Sequence, residues 1–429
     1  MNDDDRSLLE RRKKVLGTGT PLFYDQPLHL VRGEGAWVFD AQGRRYLDVY
    51  NNVPHVGHCH PHVVEAASRQ LAALNINTRY LHDNVVDYAE RLTATTDYAQ
   101  AGVFFTCTGT ESNELALRIA RHVTGGTGII ASSFNYHGNS AVLASICTAF
   151  PVPEAFPDFA RLVQVPDPYR HRQGRTDADL ANHYLDEARA AIASLQADGV
   201  KLAALLIDPS FANEGLPEYV PGYLAGLVDM VRAAGGIVIA DEVQSGFGRT
   251  GAAMWAHQYH GIVPDIITTG KPMGNGFPIG SVISTYDVID EFGRSANYFN
   301  TFGGNPVATA AGAAVLDVIE NEGLIANAAR VGAYVGERMN GLMARHEIIG
   351  NVRCRGMFFG LELVADRATK APSPLAGKVV NAMKDKGVLL SRIGPFDNIL
   401  KMRPSMVFTC EQADILLAAL DETLEEVAR

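Results

Sequence analysis

Cysteine is scarce and unpatterned: Cys59, Cys107, Cys147, Cys354 and Cys410 are scattered without a Cys-x-x-Cys pair. An odd number cannot all pair within one chain, so reduced thiols in the cytoplasm are the expectation. No apolar run approaches the roughly 18 residues that suggest a membrane span, and the acidic, polar start of the chain carries no export signal. Neither membrane insertion nor export is therefore expected. Like charges do not gather beyond Asp3-Asp4-Asp5, and 37 basic against 48 acidic residues leave a net charge of −11, which disfavours nucleic acid as a partner. There is no internal repeat and no low-complexity tract. A Gly-x-Ser-x-Gly elbow is missing, which leaves a serine hydrolase without support. Gly270-Lys271 superficially suggests a nucleotide hydrolase, but Asp265 stands where that motif needs its first Gly and Pro272 follows the lysine.

What is present is a chain of 429 residues, long enough for two or three packed domains. Residues 28–48 alternate short apolar stretches with Gly33-Glu34-Gly35 and Gln42-Gly43, the pattern of a small antiparallel meander. Short β-rich runs follow at 103–107, 128–132, 203–208, 236–243, 265–269 and 280–285, most of them separated by helical stretches. Strands alternating with helices predict a largely parallel sheet covered on both faces, with ligands at the carboxyl ends of its strands. The connection between the last two runs is too short for a helical crossover, so one of those strands should be antiparallel. From about residue 305 a long Ala-rich helix leads into an α+β segment with strands near 352–363 and 400–408, read as a smaller domain. The polar stretches 151–180 and 366–377 are expected to be surface excursions. The resulting division is 1–60, contributing to the small domain, 61–320, the large domain, and 321–429, the C-terminal small domain.

The chemistry-bearing signal is Ile239-Ala240-Asp241-Glu242-Val243-Gln244 followed by Thr268-Thr269-Gly270-Lys271-Pro272. An Asp at the end of an apolar strand is costly unless a cation or donor meets it, and a protonated pyridine nitrogen is one such partner. A Lys after an apolar strand and a Gly is partly desolvated, which makes its amine nucleophilic. Alone, an Asp after a strand is more often a helix cap or loop residue and a Lys more often a solvated one; the signal lies in the combination. Thr106-Cys107-Thr108-Gly109-Thr110-Glu111 opens a helix with capping-box spacing, and its free N–H groups at Gly109 and Thr110 could cradle a phosphate. Tyr136, just past the next strand, could stack on a planar ring or simply sit in a surface loop.

In this order the pieces resemble the class III (ω-type) pyridoxal-phosphate aminotransferases over nearly the whole chain. The resemblance implies an α/β architecture of fold type I for pyridoxal 5′-phosphate (PLP) enzymes, with a mostly parallel seven-stranded sheet and a smaller α+β domain. It also implies that Gly109 and Thr110 bind the cofactor phosphate, Tyr136 stacks on the ring, Asp241 pairs with its nitrogen and Gln244 bonds its phenolic oxygen. Lys271 would carry the cofactor as a Schiff base. The run Asn300-Thr301-Phe302-Gly303-Gly304-Asn305-Pro306 matches the segment that brings a Thr to the neighbouring subunit's phosphate, so a homodimer is implied, with Thr301 serving the adjacent site. Asp208-Pro209 stands where the family usually has Glu-Pro, which leaves the role of that carboxylate open.

Within the family, the stretches Asn51–Pro61, Asn77–Asn84 and Val388–Pro404 look closest to ethanolamine-phosphate and phosphohydroxylysine phospho-lyases. Aminotransferases of this class typically place an Arg at the position of Lys401, where it forks onto a substrate carboxylate. A substrate without that carboxylate needs no fork, and a phosphate suits point charges such as Lys401, aided by Arg403 and Arg79. Arg403 could equally pair with a surface carboxylate. The expected reaction is elimination of phosphate from O-phosphoethanolamine, with Lys271 as anchor and base. An ω-aminotransferase working on an amine or ω-amino acid is the alternative. A PLP-fold binding module is disfavoured because Lys271 and Asp241 are both present. His55, His58, His60 and His62 lack thiolate or carboxylate neighbours at zinc-ligand spacing, so no metal is expected.

Overall fold

A computed structural model describes residues 2–428; Met1 and Arg429, which end the outer segments of the division above, lie outside the described residues. The meander forms as β1 (Leu30–Glu34), β2 (Trp37–Asp40) and β3 (Arg45–Asp48), paired antiparallel. A seven-stranded sheet follows, built from β4 (Ala101–Thr106), β5 (Gly128–Ser132), β6 (Ala160–Val163), β7 (Leu202–Ile207), β8 (Ile237–Asp241), β9 (Ile266–Thr269) and β10 (Gly280–Thr285). Its spatial order is β4-β10-β9-β8-β7-β5-β6. Strands β6, β5, β7, β8 and β9 are mutually parallel, and β10 runs antiparallel to both β9 and β4. The short connection before β10 therefore has the consequence expected of it. Reversing once on each side of β10 leaves β4 pointing the same way as β9, so the carboxyl ends of six strands share one edge.

Strand β7 shows why that edge is well fixed. Its six residues are all buried, with Leu205 and Ile207 packing on the helices Asp177–Ala197 and Tyr223–Ala233 while Ala204 and Leu206 face the helix Gly109–Thr124. A strand covered on both faces reads as a continuous apolar run, and burying such side chains stabilises by about 1.5–3 kcal/mol each.

The C-terminal strands are β11 (Ile349–Arg355), β12 (Phe358–Asp366), β13 (Ala371–Pro372), β14 (Val388–Leu389), β15 (Ser391–Ile393) and β16 (Ile399–Met402). Strand β14 pairs in parallel with β3, which joins the start of the chain to its last quarter.

Four expectations need correction. The stretch 151–180 is not all excursion, because Ala160–Val163 forms the edge strand β6 and Pro168–His171 a short helix. The strand expected over 352–363 is a hairpin that turns at Gly356, φ +52°, where a Cβ would lie 2.2 Å from the Arg249 carbonyl oxygen; only Gly tolerates both. The strand expected to reach Phe408 ends at Met402, since Pro404 has no N–H and the Met406 N–H turns to the His55 carbonyl. The Ala-rich helix is likewise two helices, Pro306–Asn321 and Leu324–Arg345, separated at Gly323 in the left-handed region.

Candidate active site

The common strand edge surrounds a cavity of about 320 Å3, a volume suited to a small ligand, and its lining includes Thr108, Tyr136, Asp208, Asp241, Gln244 and Lys271. Gly109 and Thr110 line one end. There the helix Gly109–Thr124 begins, with the Thr108 hydroxyl accepting the Glu111 N–H at 3.1 Å. The Glu111 carboxylate accepts from the Cys107 N–H (3.0 Å), one residue earlier than a capping box requires. A Cβ on Gly109 would stand 2.8 Å from the Val243 methyls, and one on Gly270 2.9 Å from the Gly109 nitrogen. These two glycines let the helix start press against the ends of β8 and β9. The leading N–H groups, unpaired at any helix start, then face the cavity together with the helix dipole.

Asp241 closes β8 and is buried. One carboxylate oxygen meets His137 Nδ1 at 2.7 Å and accepts from Asn113 Nδ2 at 2.8 Å, while the other accepts the Val243 N–H at 3.0 Å. Asn113 is itself held by the Thr268 hydroxyl (2.6 Å). Burial pulls the His137 imidazole down, but the hydrogen bond and charge of Asp241, with Glu214 and Asp208, more than offset it and raise its pKa. Tyr136 is half-buried at the cavity wall, edge-on to Phe150 with centroids 5.4 Å apart. Lys271 follows β9, where burial and then the Arg403 charge lower its pKa to about 8 against the opposing pull of Asp241 and Asp208. Such an amine is substantially neutral near pH 8 and so competent as nucleophile or base.

Beyond this lining lies a second set of buried polar groups. Lys401, 2% exposed, donates to Asn213 Oδ1 at 3.3 Å. Asn213 Oδ1 also accepts from Gln244 Nε2 (3.4 Å), and Gln244 Oε1 accepts from Arg403 Nη1. Arg403 is buried rather than paired at the surface: it donates from Nε to the Tyr50 carbonyl (3.1 Å) and stacks over the Tyr50 ring at 4.7 Å. Asp208 accepts the N–H groups of Ser210 (2.8 Å) and Ala212 (3.1 Å) and the Ser245 hydroxyl. Burial and the Asp241 charge raise its pKa, and burial with Asp208 pushes Glu214 up to about 7. Burial, reinforced by Arg403, holds Lys401 well below the usual lysine range. Among the described residues no carboxylate lies within 4 Å of Lys271, Lys401 or Arg403.

Two residues singled out in the sequence stand apart. Arg79 is exposed, with its guanidinium 3.9 Å from the Phe299 ring centroid, and Thr301 is exposed in the adjoining loop; neither lines the cavity. The four histidines each have separate partners: His55 the Phe247 carbonyl, His58 Asp48, His60 Glu322 and His62 Asp317. Asn113, His137, Asn213, Ser245 and Tyr50 were not singled out. His137 was within reach, because it directly follows the expected ring-stacking Tyr136. The others come from distant segments and carry no local signal.

The class III aminotransferase family profile matches residues 23–424. The chain belongs to the class III aminotransferases. Relatives include a Drosophila melanogaster protein named alanine–glyoxylate aminotransferase 2-like, 41% identical across 98% of this chain and 87% of its own length. A Caenorhabditis elegans protein named ethanolamine-phosphate phospho-lyase homolog 1 is 35% identical, across 97% of this chain and 93% of its own. Among solved structures, a phospholyase from Arthrobacter in complex with phosphoethanolamine superposes with a TM-score of 0.95 and is 48% identical, covering 97% of this chain and 99% of its own. This class III aminotransferase homologue is a PLP-dependent enzyme with the fold of type I. Its residues fit that cofactor. The helix start with crowded glycines suits a phosphate dianion, Asp241 offers a buried carboxylate for a ring N–H, Tyr136 gives an aromatic wall, and Lys271 supplies an amine of lowered pKa.

Proposed function

We propose that this enzyme eliminates phosphate from O-phosphoethanolamine, or a similar amino-phosphate, to give acetaldehyde, ammonia and phosphate. The observation that carries this reading is the pair of buried basic side chains, Lys401 and Arg403, that lack a carboxylate within 4 Å beside the cofactor cavity; burial disfavours the Lys401 charge until an anion arrives to pair with it. Buried charges are ordinarily paired, so an unpaired set is arranged for an anion that arrives from outside. The names of the Arthrobacter and C. elegans relatives support the same reading.

Pyridoxal phosphate, when bound, supplies an electron sink that makes the carbon-bound proton of the substrate acidic. Gly109 and Thr110 hold its phosphate at the helix start. Asp241, fixed by His137 and Asn113, keeps a proton on the ring nitrogen. Gln244 stands ready for the phenolic oxygen, and its side chain is oriented by Arg403. Lys271 Nζ takes the proton from the carbon bearing nitrogen. Lys401 Nζ and the Arg403 guanidinium donate to the substrate phosphate oxygens and stabilise the charge that collects there as the carbon–oxygen bond breaks. Hydrolysis of the released two-carbon fragment consumes one water and yields acetaldehyde and ammonia. A homodimer belongs to this reading. Exposed Thr301 and Arg79 lie on adjoining loops with the exposed aromatic Phe302, the edge a second copy would cover.

The alternative, an ω-aminotransferase, is favoured by the Drosophila relative's name. The two part on one assay: PLP-loaded enzyme with O-phosphoethanolamine and no keto acid. Phosphate and acetaldehyde in equal amounts support elimination. No phosphate without a keto acid, and amine consumption only once one is added, supports transamination.

A further inference from the structure

We propose that Asn213 determines the charge of the group this enzyme accepts, by giving Lys401 a neutral partner where a carboxylate would cancel it. The proposal rests on the reading above that the substrate phosphate sits between Lys401 and Arg403.

The loop after β7 carries two acidic residues whose charges reach Lys401, and hydrogen bonds engage both without a direct contact to it. Asp208 is taken by the Ser210 and Ala212 N–H groups and the Ser245 hydroxyl. Glu214 is taken by the Ser132 hydroxyl and by the Asn213 N–H (3.1 Å). Phe211 and Leu216, both with positive φ (52° and 56°), and Gly215 at 106° coil the loop tightly enough for this. Between the two carboxylates the loop presents the Asn213 amide to the basic pair, and its oxygen receives Lys401 at 3.3 Å and Gln244 at 3.4 Å. Two neutral side-chain amides, Asn213 and Gln244, thus link Lys401 to Arg403.

The donor inventory follows. An ammonium has three N–H donors, and Lys401 uses one on Asn213. A guanidinium has five, of which Arg403 places two, on Tyr50 and Gln244. A dianion arriving at these spare donors draws a proton onto Lys401 against the burial that disfavours its charge, and does so more strongly than a monoanion of similar shape. Aspartate has almost the shape of asparagine. At position 213 it would form an ion pair with Lys401, occupy its donors and halve the positive charge left for the ligand.

The test uses full-length, PLP-loaded enzyme, so that the helix-start site is filled, and inorganic phosphate as the probe at pH 8. Binding is followed by calorimetry and by competitive inhibition. Asn213→Asp is expected to weaken phosphate at least about tenfold and to raise KM for O-phosphoethanolamine more than it lowers kcat. Asn213→Ser, which removes the amide without adding charge, is expected to keep phosphate affinity within about threefold. Equal phosphate affinity in wild type and Asn213→Asp overturns the proposal, as does an equal loss in both variants. Should Asn213→Asp not fold, wild type carries the test: phosphate is expected to bind at least about tenfold tighter than methanesulfonate, and equal binding overturns the proposal. A wild type that binds phosphate in this charge-dependent way yet releases none from O-phosphoethanolamine sinks the lyase reading, and a phosphate affinity lost in Asn213→Asp but kept in Asn213→Ser then still supports the role of Asn213. A working lyase whose Asn213→Asp variant is unchanged overturns the role of Asn213 alone.

Discussion

Two clusters of basic side chains gather at one pair of antiparallel strands, β12 and β16, and their charges are handled in opposite ways. On β12, Glu362 is fully buried and receives both Arg170 and Arg353, and Arg353 reaches Asp167 as well at 3.1 Å. Two carboxylates thus meet two guanidiniums. On β16, opposite Gly360, Lys401 has one neutral amide oxygen, and neighbouring Arg403 has a carbonyl, a ring face and another amide. The first cluster is complete as it stands. The second is left short of negative charge, and a protein keeps buried cations in that condition where a ligand completes them.

The contrast predicts which changes cost chemistry and which cost stability. The largest effect is expected for Lys271→Ala, which should cut phosphate release by more than about 10³-fold while leaving the denaturation midpoint of the apo-protein unchanged or higher, since it removes a partly desolvated cavity amine without a carboxylate within 4 Å. Glu362→Gln should do the reverse. It takes the shared carboxylate from half-buried Arg170 and from buried Arg353, which keeps only Asp167, and should cost about 3 kcal/mol, read from urea denaturation, with KM of the remaining folded enzyme unchanged. A smaller effect follows from Lys271 with its pKa of about 8: the neutral amine is the reactive form and is lost on protonation. Covalent capture of PLP by the apo-protein, followed by absorbance, should therefore rise about tenfold per pH unit up to about pH 8 and level off above it. The smallest change is expected in the thermal stability of Lys401→Met, which should not fall, because the lost cation had no countercharge to strand.

The large sheet was legible because its strands are apolar on both faces and separated by helices, as in β7. The antiparallel β10 followed from connection length alone. Edge strand β6 was not legible, since four residues inside a polar, Pro-containing stretch carry little periodicity. The hairpin at Gly356 turns on a backbone contact with Arg249, a residue over a hundred positions away, which no local pattern encodes. At the site, the residues at strand ends and the helix start carried motifs, and Asp241 and Lys271 meet round one cavity with Gly109, Thr110, Tyr136 and Gln244. Arg79 and Thr301 stand outside it on an exposed edge. The residues that orient the others, His137, Asn113 and Asn213, act through hydrogen bonds between distant segments, and a bare sequence does not display those.

The decisive measurement compares kcat/KM of wild type and Lys401→Met for O-phosphoethanolamine and for an amine with an uncharged tail assayed with a keto acid. If the unpaired cations are the phosphate site, the loss falls on the phosphate substrate, by at least about tenfold, and spares the uncharged amine. An equal loss on both substrates, or none on either, would contradict it.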